Sequence, residues 1–174
     1  MSVFEIVIPG FKVFRVAPDS VAALAFLCER CDAFFQMLEN RPGNYEAATG
    51  ILNDLAPGKG LDSKHLFLVE LDGRPVGVID MTKDFPGKGQ WYIALLLIDP
   101  DYRAQGLGRK IFKSAQGAIH DAGGIELQLC VQQQNPRAKR FWETQGFHSI
   151  GEAIQPLPLI ENRVWKMKKL LGSV

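Results

Sequence analysis

Arg103-Ala104-Gln105-Gly106-Leu107-Gly108 is the stretch of this 174-residue chain that decides its fold. It follows WYIALLLI at 91–98, an apolar run of strand length, and precedes apolar and small residues at helical spacing up to Ala122. Glycines at a helix N-terminus leave backbone N–H groups uncovered, and these groups together with the helix dipole favour an anion. The stretch therefore predicts a diphosphate-binding turn between a buried strand and an amphipathic helix.

Known nucleotide motifs do not describe this turn. A Walker loop needs GxxxxGK[ST], which the stretch lacks, and a dinucleotide fingerprint needs a third glycine where the chain has Ile111. A tight turn with glycines that serve packing alone stays open at this point. The residues further along the chain decide between the alternatives.

A second block of residues accompanies the glycine turn. Together the two blocks read Pro100-x-x-Arg103-x-x-Gly106-x-Gly108 and Val131-x-x-x-Asn135-x-x-Ala138-x-x-Phe141-Trp142-x-x-x-Gly146-Phe147. The pair resembles the two signature blocks of the GNAT acetyltransferases over residues 91–147. The resemblance implies one α/β domain over 1–174, with a mixed, mostly antiparallel sheet, helices on both faces and a splay between strands four and five.

The resemblance also implies where acyl-CoA binds. Backbone groups of the strand end Leu96-Leu97-Ile98 bond the pantetheine arm in the splay, and residues 103–108 hold the pyrophosphate with help from the charge of Arg109. Asn135 contacts the pantetheine, although Asn-Pro is also a common helix N-cap that needs no ligand. A cluster of cations could pair with the 3′-phosphate of CoA, but a solvated face is the favoured interpretation; the cluster is Arg137, Lys139 and Arg140.

One residue at the position of the acid and three possible bases are candidates for catalysis. Members of the family usually carry tyrosine, the expected acid, where this chain has Trp142, and an indole N–H can donate a hydrogen bond but no usable proton. Tyr92 is the one titratable residue in its strand, and Asp80 and Asp84 lie near the end of the preceding strand. Any of these three could serve as the base for an amine.

The predicted activity is acetyl-CoA-dependent transfer of an acetyl or short acyl group to a primary amine of a small molecule or peptide. The alternative is a non-catalytic acyl-CoA-binding or sensing module of the same fold, which the missing tyrosine keeps open. Dimers are frequent in the family, so the resemblance leaves a homodimer open, but no residue of the sequence demonstrates one. The identity of the acceptor does not follow from the sequence.

The composition limits the classes of binding partner and the location that we expect for this protein. The formal net charge is +1, so no overall field favours nucleic acid or an anionic membrane. The first 20 residues lack a signal-peptide pattern and no stretch approaches 18 apolar residues, so we expect a cytoplasmic protein. Cys28 and Cys31 form a CxxC that could indicate zinc or redox chemistry, but two further ligands are missing. No metal is expected, and helical spacing favours two small buried hydrophobes.

Periodicity and turn residues predict the remaining elements. The elements before the central strand are two short strands or one broken strand, one or two helices that run to about Glu39, a further short helix, and a hairpin around Asp72-Gly73. The central strand forms a βαβ unit with the helix and the strand that follow it. The strands are expected at 3–8, 11–16, 65–71, 75–81, 91–98, 125–132, 147–150 and 163–170, and the helices at 20–39, 45–55, 107–122 and 136–145.

Overall fold

The structure, a computed structural model, describes residues 4–172. Seven strands and five α-helices follow one another in the described chain. They are β1 (Lys12–Arg15), α1 (Val21–Arg30), α2 (Asp32–Glu39), α3 (Tyr45–Asn53), β2 (Lys64–Leu71), β3 (Arg74–Lys83), β4 (Gln90–Ile98), α4 (Leu107–Asp121), β5 (Glu126–Gln132), α5 (Pro136–Thr144), β6 (His148–Pro156) and β7 (Glu161–Leu170).

The strands form one sheet in the order β1-β2-β3-β4-β5-β7-β6. Neighbouring strands are antiparallel except β4 and β5, which are parallel because α4 crosses over between them. The predicted α/β architecture with a mixed, mostly antiparallel sheet is therefore confirmed. Within the described residues, no helix is long and apolar enough to cross a membrane.

Two apolar clusters cover the two faces of the sheet, so the prediction of helices on both faces is confirmed. One cluster lies between the sheet and helices α4 and α5, and it includes Trp91, Ile111 and Leu127. The other lies between the sheet and helices α1 to α3, and it includes Leu27 and Val78. Alternation along β3 and β4 sends successive side chains to opposite faces of the sheet. The exception is the register shift beside Asp80, where Ala94 and Leu95 of β4 lie on the same face.

The N-terminal segment differs from the expectation. The predicted strand at 3–8 is wrong for residues 4–8, which are not in a strand, and residue 3 lies outside the described residues. The hydroxyl of Ser114 on α4 accepts from the N–H of Val7 at 3.0 Å and donates to its carbonyl at 2.9 Å. The segment contributes Ile6 and Ile8 to the core beside α4. Its apolar residues therefore reflect burial against a helix rather than strand pairing.

Other boundaries shift by less. Of the one or two helices predicted over 20–39, the structure has two, which meet at Cys31. The predicted short strand at 147–150 extends to Pro156. The strand predicted at 125–132 begins at Glu126, and Ile125 before it is 60% exposed. The hairpin of β2 and β3 is confirmed with its turn at Asp72-Gly73.

Candidate active site

Strands β4 and β5 diverge soon after they begin. Their parallel pairing covers three residue pairs, from Gln90–Glu126 to Tyr92–Gln128. Within the described residues, β4 continues to Ile98 without pairing to β5. The expected splay between the fourth and fifth strands is therefore present, and its closed end lies at Tyr92.

The alternation of hydrogen bonds fixes which backbone groups face this opening. The N–H of Asp99 donates to the carbonyl of Val76 at 2.9 Å, and Leu97 pairs with β3 two residues earlier. In an antiparallel ladder the residues between such pairs turn their backbone groups away. Leu96 and Ile98 therefore direct N–H and C=O groups toward β5, whereas Leu97 directs its groups to β3.

The glycine turn lies at the open end of the splay. Ala104 and Gly106 adopt left-handed backbone conformations, with φ of 58° and 80°. A Cβ added at Gly106 would meet no atom within 4 Å, and one at Gly108 would have ordinary contacts with Ile98 and Phe141 at 3.6 Å. The space beside Gly106 is thus open to a group that approaches the backbone, whereas Gly108 lies against Ile98 and Phe141. Leu107, between them, is a core residue.

Charge at the start of α4 fits an anion. Gly106 is the N-cap and offers no side chain, and the first turn contains no acidic residue. The first N–H groups of a helix lack partners within it. Arg109 and Lys110, both exposed, place cations where the helix dipole disfavours them. A bound diphosphate would satisfy the N–H groups and offset both cations, so the residues present fit the pyrophosphate of CoA.

Arg103 and Gln105 turn their side chains to the protein. Arg103 donates from Nε to the carbonyl of Ile98 at 2.9 Å, and Gln105 donates to the carbonyl of Asp101 at 2.8 Å. These bonds fix the shape of the turn. In this arrangement the cationic side chains available to a diphosphate are those of Arg109 and Lys110.

A buried aspartate anchors the chain just before the turn. Asp99 is fully buried and accepts hydrogen bonds from Arg30 on α1, Arg74 on β3 and the N–H of Asp101. Burial opposes ionisation, but these hydrogen bonds outweigh it and hold the pKa of Asp99 below its usual value. The cluster joins three elements to the end of β4, so it sets the position of the glycine turn.

Asn135 caps α5. Its side-chain oxygen accepts from the N–H of Ala138 at 3.1 Å, with Pro136 in the first turn. The capping interpretation is therefore confirmed, and contact with the pantetheine stays a prediction.

Trp142 is a packing residue in this structure. It is 7% exposed and makes edge-on contacts with Phe112, Phe141 and Phe147 at centroid distances of 4.9–5.4 Å. The cluster belongs to the face of the sheet covered by α4 and α5. A hydrogen bond from the indole to a departing thiolate stays a prediction.

A cavity of about 760 Å³ opens on the opposite face of the sheet. Helices α2 and α3 form one wall, β3 and β4 form the floor, and the β6–β7 loop lies at the rim. It reaches the closed end of the splay, because Tyr92, Ala94 and Leu95 all line it. Asp80 and Tyr92, two of the three candidate bases, therefore share one cavity.

Asp80 forms a buried ion pair. Its Oδ2 accepts from the Nζ of Lys64 at 2.7 Å, and Lys64 also donates to the carbonyl of Asp54 at 2.9 Å. Asp80 is 5% exposed, and its Oδ1 has no hydrogen-bond partner in the described part of the chain. Burial raises the pKa of Asp80 to about 6, against the opposing effect of the Lys64 ammonium. The carboxylate can therefore exchange a proton near neutral pH.

Tyr92 and Asp84 are less suited to that role. Burial and the neighbouring Cys130 raise the pKa of Tyr92, so its hydroxyl stays protonated at neutral pH. Asp84 accepts from the N–H of Gly89 at 2.7 Å and stabilises the β3–β4 turn. Of the three residues considered as a base, Asp80 has both the location and the pKa.

The two cysteines of the CxxC lie in the core. Cys28 and Cys31 are free thiols, at most 1% exposed, in the cluster beneath α1. Burial raises the pKa of both thiols, that of Cys28 to about 12. Among residues 4–172, no group of three His, Cys, Asp or Glu side chains is placed to hold a metal ion. Their surroundings are those of small buried hydrophobes.

Comparison with known proteins gives the family. The model of the acetyltransferase (GNAT) family matches residues 24–147, which is more than half of the chain. The chain belongs to the GNAT family. The resemblance inferred from two motifs is thereby confirmed over a much longer stretch, including helices α1 to α3.

Two curated GNAT relatives are named acetyltransferases. Mycothiol acetyltransferase of Beutenbergia cavernae is 29% identical over 102 residues, 57% of this chain and 34% of that protein. Thialysine N-epsilon-acetyltransferase of Bos taurus is 34% identical over 62 residues, 36% of each chain. The matches span about a third of the length of both relatives.

Solved structures support the GNAT fold over nearly the whole chain. An acetyltransferase from Thermus thermophilus has a TM-score of 0.77 at 23% identity, covering 94% of this chain and 99% of that one. The ribosomal-protein-S18-alanine N-acetyltransferase from Escherichia coli has a TM-score of 0.70 at 16% identity, with 94% and 96% covered. At these identities the likeness establishes the fold.

Sequence reasoning missed two parts of the site. The partner of Asp80, Lys64, lies 16 residues away in a stretch that we interpreted only as the edge of a strand. The sequence placed Asp99 only at the end of the central strand, and its hydrogen-bond partner Arg30 is 69 residues away.

Proposed function

We propose that this GNAT protein transfers an acetyl group from acetyl-CoA to a primary amine, with Asp80 as the base. One observation carries the proposal: the splay between β4 and β5 connects the bare N-terminus of α4 to a cavity that contains a buried, partly unpartnered carboxylate. Family membership and the names of the two relatives support acetyl transfer.

The donor would lie along the splay. The N–H groups at Leu107 and Gly108 and the charge of Arg109 would hold the diphosphate. The backbone groups of Leu96 and the N–H of Ile98 would bond the pantetheine amides, since the carbonyl of Ile98 already accepts from Arg103. The thioester would then reach the closed end at Tyr92. This places the reacting carbonyl beside the cavity that holds Asp80.

The acceptor would enter through the cavity as an ammonium ion. Asp80 removes one proton, and the neutral amine attacks the thioester carbon, so that a C–N bond forms and the C–S bond breaks. The second nitrogen proton passes, directly or through water, to the thiolate of CoA, whose pKa is about 8.5 by analogy with cysteine. Asp80 then releases its proton to solvent. The products are the acetylamide, CoA and one proton.

Calorimetric titration with acetyl-CoA tests the donor site. In Gly108→Trp the indole would fill the mouth of the splay, whereas Gly117→Trp is the matched control, since Gly117 lies on the exposed face of the same helix with no atom within 4 Å of its Cβ position. We expect binding by wild type and the control and at least tenfold weaker binding by Gly108→Trp. Equal binding by all three would contradict the proposed site. Binding without CoA release for any amine would favour a sensing module.

A further inference from the structure

The charges inside the cavity favour a cation. Deep in the cavity, Lys64 and Asp80 neutralise each other, but Oδ1 of Asp80 still lacks a donor among the described residues. The charged groups nearer solvent are exposed or half-exposed and predominantly acidic, with three carboxylates against one guanidinium. They are Glu39, Glu46, Asp54 and Arg41. An entering cation therefore gains attraction at the rim and a hydrogen-bond acceptor at the floor.

The walls between the rim and Asp80 are apolar. On α2, Phe34 and Phe35 pack edge-on with their ring centroids 5.4 Å apart. From the β3–β4 side, Phe85 and Tyr92 form a second edge-on pair at 5.7 Å. All four rings line the cavity. Such walls stabilise an aromatic or alkyl group by burial and by further ring contacts, and they penalise a second charge held between them.

We propose that the acceptor is a monocationic amine with an aromatic or alkyl body, whose ammonium group binds the Asp80 carboxylate at the floor of the cavity. This specificity rests on the acetyl-transfer function proposed above. A volume of about 760 Å³ is in the range of small-molecule sites. The rings of α2 and of the β3–β4 side cover the two faces of the body. A polyamine would leave a second ammonium among these rings, and a peptide would leave its amide groups there.

The first test is acceptor preference. Phenethylamine, spermidine, a tripeptide with a free N-terminus and ethylamine are compared as acceptors by CoA release at saturating acetyl-CoA. We expect kcat/KM for phenethylamine to exceed those of spermidine and the peptide by at least about tenfold, as an extra 1.4 kcal/mol of burial gives that ratio. A higher kcat/KM for spermidine or the peptide overturns the proposal.

A steric probe locates the body of the acceptor. Gly50 on α3 lines the cavity, and a Cβ there meets no atom within 4 Å, so Gly50→Leu extends into the cavity with little strain on the fold. Gly117→Leu is the control, because it makes the same helical change on an exposed face outside the cavity. We expect Gly50→Leu to lower kcat/KM for phenethylamine at least about tenfold and that for ethylamine less than twofold. The control should change neither.

The outcomes distinguish failure of the proposed acceptor specificity from failure of the proposed acetyl transfer. Turnover of ethylamine supports acetyl transfer whatever the larger acceptors do. An equal loss for both amines in Gly50→Leu, or no loss for either, overturns the proposed placement. If acetyl-CoA binds and no amine turns over, titration of phenethylamine into the CoA complex decides the cavity's specificity. Binding that Gly50→Leu abolishes supports it, and lack of binding refutes it.

Discussion

Replacing Asp80 by Asn removes the buried carboxylate and keeps its size, and the pH dependence of turnover should change as a result. With a pKa of about 6, Asp80 is about nine-tenths ionised at pH 7 and about one-tenth ionised at pH 5. An amine with a pKa of about 10.4 is an ammonium ion at both values. Wild-type kcat/KM should therefore fall about tenfold from pH 7 to pH 5 as Asp80 gains its proton.

The variant has no carboxylate to accept the proton, so only the neutral amine can react. Its fraction falls tenfold for each pH unit below 10, and kcat/KM of Asp80→Asn should fall about 100-fold from pH 7 to pH 5. At neutral pH the variant should be about 10²-fold slower than wild type, as is typical when a general base is lost. CoA release with phenethylamine or ethylamine measures both quantities.

Loss of fold is the competing explanation, because Lys64 would lose its anion and breaking a buried pair commonly costs about 3–5 kcal/mol. Thermal unfolding and acetyl-CoA affinity therefore accompany the kinetics, and Lys64→Met/Asp80→Asn provides a neutral pair of side chains if the single variant is unstable. Parallel pH profiles for wild type and a folded Asp80→Asn would refute Asp80 as the base.

Three further changes test individual contacts. Burial lowers the pKa of His65 to about 4, so its neutral form contributes stability that is lost as pH falls from about 6.5 to 4. In His65→Phe this part of the pH dependence of the free energy of unfolding in urea should disappear. An unchanged pH dependence would contradict the lowered pKa of His65. In Gly43→Ala the new Cβ would lie 2.2 Å from the carbonyl oxygen of Cys28. We therefore expect the free energy of unfolding in urea to fall by at least about 2 kcal/mol. A loss below about 0.5 kcal/mol would contradict this packing. Asn135→Ala should lower the free energy of unfolding by about 1 kcal/mol because the cap to Ala138 is lost, whereas Asn135→Asp keeps the cap. Weaker acetyl-CoA binding by both variants would indicate the predicted pantetheine contact. Unchanged binding by both would exclude that contact.

Much of the fold could be predicted because its signals are local. The strict alternation of LQLCV, the apolar run from Trp91 to Ile98 and the helical spacing after Gly106 each record which face of an element is buried. The segment at 4–8 escaped this logic because its apolar residues pack against α4 without pairing. Apolar content reports burial, and only the neighbours decide whether a buried segment forms a ladder.

In the candidate site, too, local features could be predicted from the sequence and long-range contacts could not. The glycine turn and the Asn135 cap are local motifs, since helix ends and left-handed turns select particular residues within a few positions. The choice of Asp80 over Asp84 and Tyr92 was not available from the sequence. It depends on burial of the carboxyl group and on contact with Lys64, and desolvation of a charge is a property of the folded surroundings.

By itself the sequence determined the order of elements, the anion-binding turn and the resemblance to the GNAT family, because backbone preferences and motif spacing act over short distances. The tertiary structure alone decided where β4 leaves β5, that Trp142 packs in an aromatic cluster, and that Lys64 and Asp80 meet at the floor of a cavity. Partners distant in the chain become neighbours only on folding, and the energies of charges and rings depend on those neighbours.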